Sequence, residues 1–191
     1  MWLSRILVML PSNYVVLGLG SNKPFGGDSC VELLRKACRQ LSPLFSNFDL
    51  SSVYRTKPMY FDEQEMFYNM VFCGFLDSSL DSYELLSKIH EIEASLGRDR
   101  SREIRNGPRS VDVDIEIFGN VVMSEPELMI PHPRIRERAF VLVPLKEVLE
   151  RSGKNMKDDV SDFLNVGFDA LDLKDGDVEL FMDSKIFRSR L

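Results

Sequence analysis

Apolar residues fall into two periods along this chain, and each change of period outlines an element. Tyr14 to Leu19 is a short, β-branched apolar run closed by Gly20-Ser21-Asn22, which predicts a buried first strand ending in a turn. After the Gly/Pro loop Lys23 to Gly27, Asp28 or Ser29 can cap a helix carrying Val31, Leu34, Ala37, Cys38 and Leu41 at helical spacing. A second strand is expected from about Phe48 to Arg55. A third is expected from Met66 to Leu76, after a polar link of Asp62, Glu63, Gln64 and Glu65. Leu85, Leu86, Ile89, Ile92 and Leu96 form the stripe of a helix over Ser82 to Leu96, with Gly97 as its stop. An arginine-rich loop from Arg98 to Pro108 leads into Val111 to Phe118, which alternates strictly and reads as a strand. Pro131-His132-Pro133 breaks the chain, and Arg134 to Leu149 is partly helical around Pro144. The order β-α-β-β-α-β, closed by a helical region, predicts an α+β fold: a ferredoxin-like antiparallel sheet with helices packed on it, three layers in all (αβα).

Residues 14–150 carry this pattern as one domain. Residues 1–13 read as an N-terminal extension, or an upstream start-codon artefact, since the apolar run Ile6 to Leu10 is shorter than a secretory core and no small-x-small site follows. Residues 151–191 are rich in Asp and Lys and read as an appendage, docked or partly ordered, with a solvated, partly ordered state expected. The 44% hydrophobic content suits a globular chain of 191 residues, and the net charge of -6 argues against a general nucleic-acid binder. Nothing approaches a membrane span. The three cysteines are odd in number and lack CxxC spacing, which fits buried thiols in a reducing cytosol. A cytoplasmic monomer is expected.

The segment Gly107-Pro108-Arg109-Ser110-Val111-Asp112-Val113-Asp114-Ile115-Glu116-Ile117-Phe118 carries the chemistry. Strand alternation puts Val111, Val113, Ile115 and Ile117 on one face and Asp112, Asp114 and Glu116 on the other, with neighbouring carboxylates about 6.6–7 Å apart at Cα. Such oxygens can converge on one hard cation or on two. Carboxylates side by side repel one another, and Asp is disfavoured in strands, so the pattern carries a cost that a bound cation would explain. The preceding loop brings Arg98, Arg100, Arg102 and Arg105, and Arg109 enters the strand. Metal-binding carboxylates beside arginines are what phosphoryl transfer needs. No P-loop is present, and Gly18-Leu19-Gly20 matches no dinucleotide fingerprint.

Arg105-Asn106-Gly107-Pro108-Arg109-Ser110-Val111-Asp112-Val113-Asp114-Ile115 resembles the signature of 6-hydroxymethyl-7,8-dihydropterin pyrophosphokinases. Gly20-Ser21-Asn22, Ser52 to Thr56, Asn69, Glu93, Gly97-Arg98, Phe118-Gly119-Asn120 and Ile130 to Arg134, running into Glu137 to Leu142, fall in that family's order. The resemblance implies diphosphate transfer from ATP to the pterin hydroxymethyl group, with AMP leaving, as a step of folate synthesis. It implies two Mg²⁺ ions on Asp112 and Asp114, and Arg98, Arg109 and Arg100 as catalytic, phosphate-binding arginines. Glu93, Ile115, His132 and Arg138 carry over to the ATP side. Thr56, Phe67, Asn69 and Phe140 carry over to the pterin, the two aromatics flanking its ring. Loops near 60–65 and 99–108 are implied to close over both substrates. Glu116 stands where the family has an aliphatic residue, Asn106 where some members have tryptophan, and Lys57-Pro58 in place of a double proline. From the residues alone, two other readings stand beside this one: another two-metal enzyme on a ferredoxin-like sheet, or a non-catalytic nucleotide-binding module.

Overall fold

The computed structural model describes residues 10–59, 64–101, 104, 107–168 and 178–191. Its centre is an antiparallel sheet. β1 (Tyr14–Ser21) lies between β4 (Phe67–Leu76) and β5 (Asp112–Phe118), and β4 pairs on its far side with β2 (Phe45–Leu50) and β3 (Val53–Thr56). Odd residues of β1, Val15, Leu17 and Leu19, enter one core with α1 (Cys30–Leu41) and α2 (Ser82–Ser95). Tyr14 and Val16 enter a second core on the opposite face, with α3 (Ala139–Ser152) and α4 (Lys154–Leu164). The three αβα layers follow from this two-sided burial.

Local chemistry sets the helix ends. Ser29 caps α1 by accepting from the Glu32 amide, as its position predicts. Asp81 and Glu84 form a reciprocal capping box on α2.

Two departures from simple alternation shape the sheet. The strand expected from about Phe48 to Arg55 is two strands, broken at Ser51-Ser52. Ser51 Oγ there accepts from the Val71 amide at 2.8 Å, so a side chain substitutes for a ladder carbonyl. Ser52 turns to Glu147 of α3, donating from its amide at 2.8 Å and its hydroxyl at 3.0 Å. The second departure lies in β5. Leu17 pairs with Ile115 but Val16 with Ile117, so Glu116 is the extra residue of a bulge. Ile117 therefore joins the second core, not the face of Val113 and Ile115 on which strict alternation would put it.

The described part of the C-terminal region is packed, where a solvated segment was expected. Val160, Leu164 and Phe168 of the α4 region are buried against the second core. β8 (Val178–Met182) adds a strand beside β3, with Val178 opposite Thr56, and α5 (Ser184–Arg188) buries Phe187 completely in the first core. The Arg35 guanidinium lies 4.9 Å over the Phe187 ring, and its Nε donates to the Phe187 carbonyl. A low apolar density hides this docking in the sequence, because one phenylalanine anchors it. Phe187→Ala is expected to lower unfolding free energy by about 3 kcal/mol, the ordinary cost of emptying a buried phenylalanine site, read by urea denaturation. A loss under about 0.5 kcal/mol would show the tail to be a passive surface strand.

Among the described residues, β6 (Met123–Ser124) and β7 (Met129–Ile130) form a small separate hairpin next to β5. No helix among them is long and apolar enough to cross a membrane.

Candidate active site

The sheet opens into a cleft where β1 runs out of side chains. Gly18 and Gly20 occupy the second-core face after Val16, flanked in register by Asp114 and Asp112 on β5 and by Val71 and Asn69 on β4. A Cβ on Gly20 would stand 2.7 Å from Asn69 Oδ1, and one on Gly18 would stand 2.9 Å from Glu116 Oε1. A side chain at either position would displace the Asn69 amide or the Glu116 carboxyl from its place in the cleft. The cleft is walled by Thr56, Phe67, Asn69, Arg109, Asp112, Asp114, Arg138 and Phe140.

One end is polar and flat-sided. Asn69, 5% exposed, donates from Nδ2 to Thr56 Oγ1 at 2.7 Å, which leaves its amide oxygen and second N–H on the cleft side. Phe67 and Phe140 are half-buried on the cleft walls, not core residues. The Arg109 guanidinium lies 5.9 Å from the Phe67 ring and that of Arg138 lies 5.5 Å from the Phe140 ring.

The other end is a carboxylate–arginine lattice. Asp112 accepts from Arg109 Nη1 at 2.6 Å and from Arg98 Nη1. Arg98 Nη1 also donates to Glu93 Oε1 at 2.5 Å. Asp114 and Glu116 share Arg138 Nη1, at 2.7 and 3.0 Å. Burial alone would raise the Asp112 carboxyl, but Arg109 and Arg98 pull it below its ordinary value. Asp114 goes the other way: burial, then the neighbouring Asp112 charge, raise it in spite of Arg138. That mutual repulsion is the cost a cation would relieve. Among the described residues no set of three or more His, Cys, Asp or Glu is arranged to hold a metal. Two carboxylates with open positions between them suit a hard cation that brings its other oxygens with it, from phosphates and water.

The remaining expected ATP-side residues are distributed unequally. Arg138 lines the cleft. Glu93 lies beneath it, 1% exposed, where it accepts from Arg98, from Arg100 Nε and Nη2 at 3.1 and 2.6 Å, and from the Val113 amide at 2.8 Å. Its carboxyl holds arginines in place. The Ile115 side chain, 4% exposed, points into the first core. Since the Val113 amide faces the outer edge of β5, alternation turns the Ile115 main chain to the same edge, so only its backbone is on the open side. His132 sits beside Glu116, its amide donating to the Glu116 carbonyl at 3.0 Å. Its ring Nδ1 accepts from the Arg134 amide at 3.1 Å, and burial, with Arg138 nearby, pushes the ring down to about 4. Glu116 is pushed up to about 8, by burial first and then by Asp114. His132 and Glu116, 3.9 Å apart, are thus two neutral-leaning neighbours and no ion pair.

Arg100 is half exposed above Glu93. His90, on the helix one turn before Glu93, is exposed. Arg102, Arg105, Asn106 and residues 60–63, parts of the two expected closing loops, lie outside the described residues.

Asn22 is the site residue that patterning does not single out. Buried after the β1 turn, it accepts from the Arg109 amide at 2.9 Å and donates to Gln64 Oε1 and the Glu65 carbonyl. It ties the entry of the acidic strand to the 64–65 segment. Its sole sequence signal is its place in Gly20-Ser21-Asn22.

The family model described as 7,8-dihydro-6-hydroxymethylpterin-pyrophosphokinase (HPPK) matches residues 16–150. A Bacillus subtilis protein named 2-amino-4-hydroxy-6-hydroxymethyldihydropteridine pyrophosphokinase is 41% identical over 105 residues, 55% of this chain and 60% of its own length. One of the same name from Helicobacter pylori is 35% identical over 75% of this chain and 86% of its own length. The Pneumocystis carinii folic acid synthesis protein fol1 is 38% identical, and the match spans only 17% of it. Among solved structures, wild-type Plasmodium falciparum HPPK-DHPS superposes with a TM-score of 0.53 at 15% identity, over 72% of this chain and 41% of that one. That likeness concerns the fold alone.

Proposed function

Because this chain belongs to the 7,8-dihydro-6-hydroxymethylpterin-pyrophosphokinase family, we propose that it transfers a diphosphate from ATP to 6-hydroxymethyl-7,8-dihydropterin, releasing AMP. The observation that carries the reading is the adjacency of two unlike sites in one cleft. The Asn69–Thr56 pair between Phe67 and Phe140 suits a flat, hydrogen-bonding heterocycle, and Asp112, Asp114 and three arginines suit a polyphosphate. A different two-metal enzyme does not require an Asn between two aromatics, and a passive nucleotide module does not require carboxylates that hold a metal.

In this reading Asn69 binds the pterin edge while Phe67 and Phe140 fix the ring plane. Its hydroxymethyl oxygen is thereby turned toward the acidic strand. Arg98 and Arg109 oppose the charge that accumulates as the oxygen attacks the β-phosphorus and AMP departs. Arg100, half exposed above Glu93, is placed to follow the phosphates from outside, and Arg138 and the Ile115 backbone edge serve the nucleotide. Asp112 and Asp114 are the residues that would hold magnesium, two ions in the full proposal, which supplies charge neutralisation of the phosphates when bound. The buried, free Cys30, Cys38 and Cys73 support a reducing, cytoplasmic setting.

Incubation with ATP, Mg²⁺ and the hydroxymethyl-dihydropterin, followed by separation of nucleotides, tests this. AMP and diphosphorylated pterin are expected in equal amounts. ADP as the product, or ATP consumption indifferent to the pterin, would overturn the reading.

A further inference from the structure

Glu116 is the acidic residue of the cleft strand that diphosphate transfer, as described, leaves without a task. At the β-bulge its side chain stays on the cleft side of the strand, fully buried within the cleft lining where Gly18 gives it room. A carboxyl group is a costly occupant of such a place. Its Oε1 accepts from Arg138 Nη1 at 3.0 Å, and its Oε2 has no hydrogen-bond partner among the described residues. His132 offers Oε2 no proton, since its nearest ring nitrogen, Nδ1, is itself an acceptor of the Arg134 amide. An apolar side chain would fill the space without an unmade bond.

The single relation that sets Glu116 apart is that it shares one guanidinium nitrogen with Asp114. Arg138 Nη1 stands 2.7 Å from Oδ2 of the partly exposed Asp114 and 3.0 Å from Oε1 of the fully buried Glu116, both in the cleft lining. Arg138 is 13% exposed, so it has little solvent to turn to if one partner is withdrawn. When the Asp114 oxygens turn to a cation carried by the nucleotide, Arg138 loses its cleft-side acceptor and gains a like charge nearby. The buried Glu116 carboxyl is the group that can keep it in place.

We propose, on the diphosphate-transfer reading, that Glu116 is a positioning residue: it retains Arg138 in the cleft when Asp114 engages the nucleotide's cation, and leaves the guanidinium facing a phosphate oxygen. Phe140, 5.5 Å from the guanidinium, limits its movement on the remaining side. Glu116 then matters for the nucleotide complex and little for the free chain, in which Asp114 already holds Arg138.

The test compares wild type, Glu116→Leu, Glu116→Gln, Arg138→Ala and the double variant Glu116→Leu/Arg138→Ala. Calorimetry measures binding of Mg²⁺ with an ATP analogue whose α and β phosphorus atoms are bridged by methylene, and each free chain is melted separately. Glu116→Leu is expected to weaken analogue binding roughly tenfold, as for loss of one hydrogen bond to a charged group. Glu116→Gln, whose amide oxygen still accepts from Arg138, stays within about twofold of wild type. In the Arg138→Ala background the leucine adds no further loss. Free Glu116→Leu melts at the wild-type temperature or above it.

Equal affinity of Glu116→Leu and wild type would overturn the proposal, and so would additive losses in the double variant. A weaker binder whose free form also melts lower would overturn it as well, since that is what a structural role gives. If the wild-type chain does not bind the analogue, the diphosphate-transfer reading fails and this inference falls with it.

Discussion

Asp112→Ala is expected to retain no more than about a thousandth of wild-type diphosphate transfer, a loss of several kcal/mol of transition-state stabilisation. Three losses coincide in this one carboxylate. It is one of two candidate cation ligands, and it is the shared acceptor for Arg98 and Arg109. Without it the two guanidinium groups keep their charge but lose the point that spaces them, so a phosphate meets arginines in the wrong geometry. The chain stays folded, because Asp112 is 21% exposed at the cleft and its neighbours Val111 and Val113 are buried in the first core regardless. A time course of AMP formation alongside a thermal melt separates the two effects. Turnover within tenfold of wild type would remove Asp112 from the chemistry.

Glu93→Ala is expected to strike both folding and turnover. Its carboxyl accepts four N–H groups from three residues, at a site where only 1% of it is exposed. Burial, offset in part by Arg98, raises its carboxyl, which measures how unwelcome a charge is there without those partners. Truncation leaves the buried Val113 amide without this acceptor and frees Arg100 from its anchor. A loss of about 3–5 kcal/mol in unfolding free energy follows for breaking such a buried pair. Glu93→Gln keeps an acceptor for the Val113 amide but weakens the three arginine bonds, so it should recover much of the stability and less of the turnover. Urea denaturation of both variants, with activity measured well below each unfolding midpoint, checks this. If Glu93→Ala is as stable as wild type, Glu93 is a rim residue and not the support described here.

These expectations differ in how far the sequence could reach them. The Asp112/Asp114 pair is legible because strand alternation is local: a residue's face follows from its neighbours' parity. The same rule misplaces Ile117, since a bulge depends on how β5 pairs with β1, and the pairing partner is about a hundred residues away. Glu93 is legible as part of a family pattern, but its burial under two arginines depends on where α2 packs against β5. Ile115 likewise carries over by resemblance, while its side chain belongs to the core.

Sequence by itself determined the principal helices and central strands, the ferredoxin-like plan, the acidic face of β5 and the arginines ahead of it. Hydrophobic period, caps and turn residues act over a few positions and need no knowledge of the rest of the chain. Tertiary structure alone decided which of those residues share a cleft. It buried Glu116 in the cleft lining, made Gly18 and Gly20 the floor, and turned Asn22 into a tie between segments. It also placed β8 beside β3 and Phe187 in the core, against the solvated tail that composition suggests. Such outcomes depend on close approach between distant segments, where a single methyl group or one hydrogen bond decides the fit, and no local period records them.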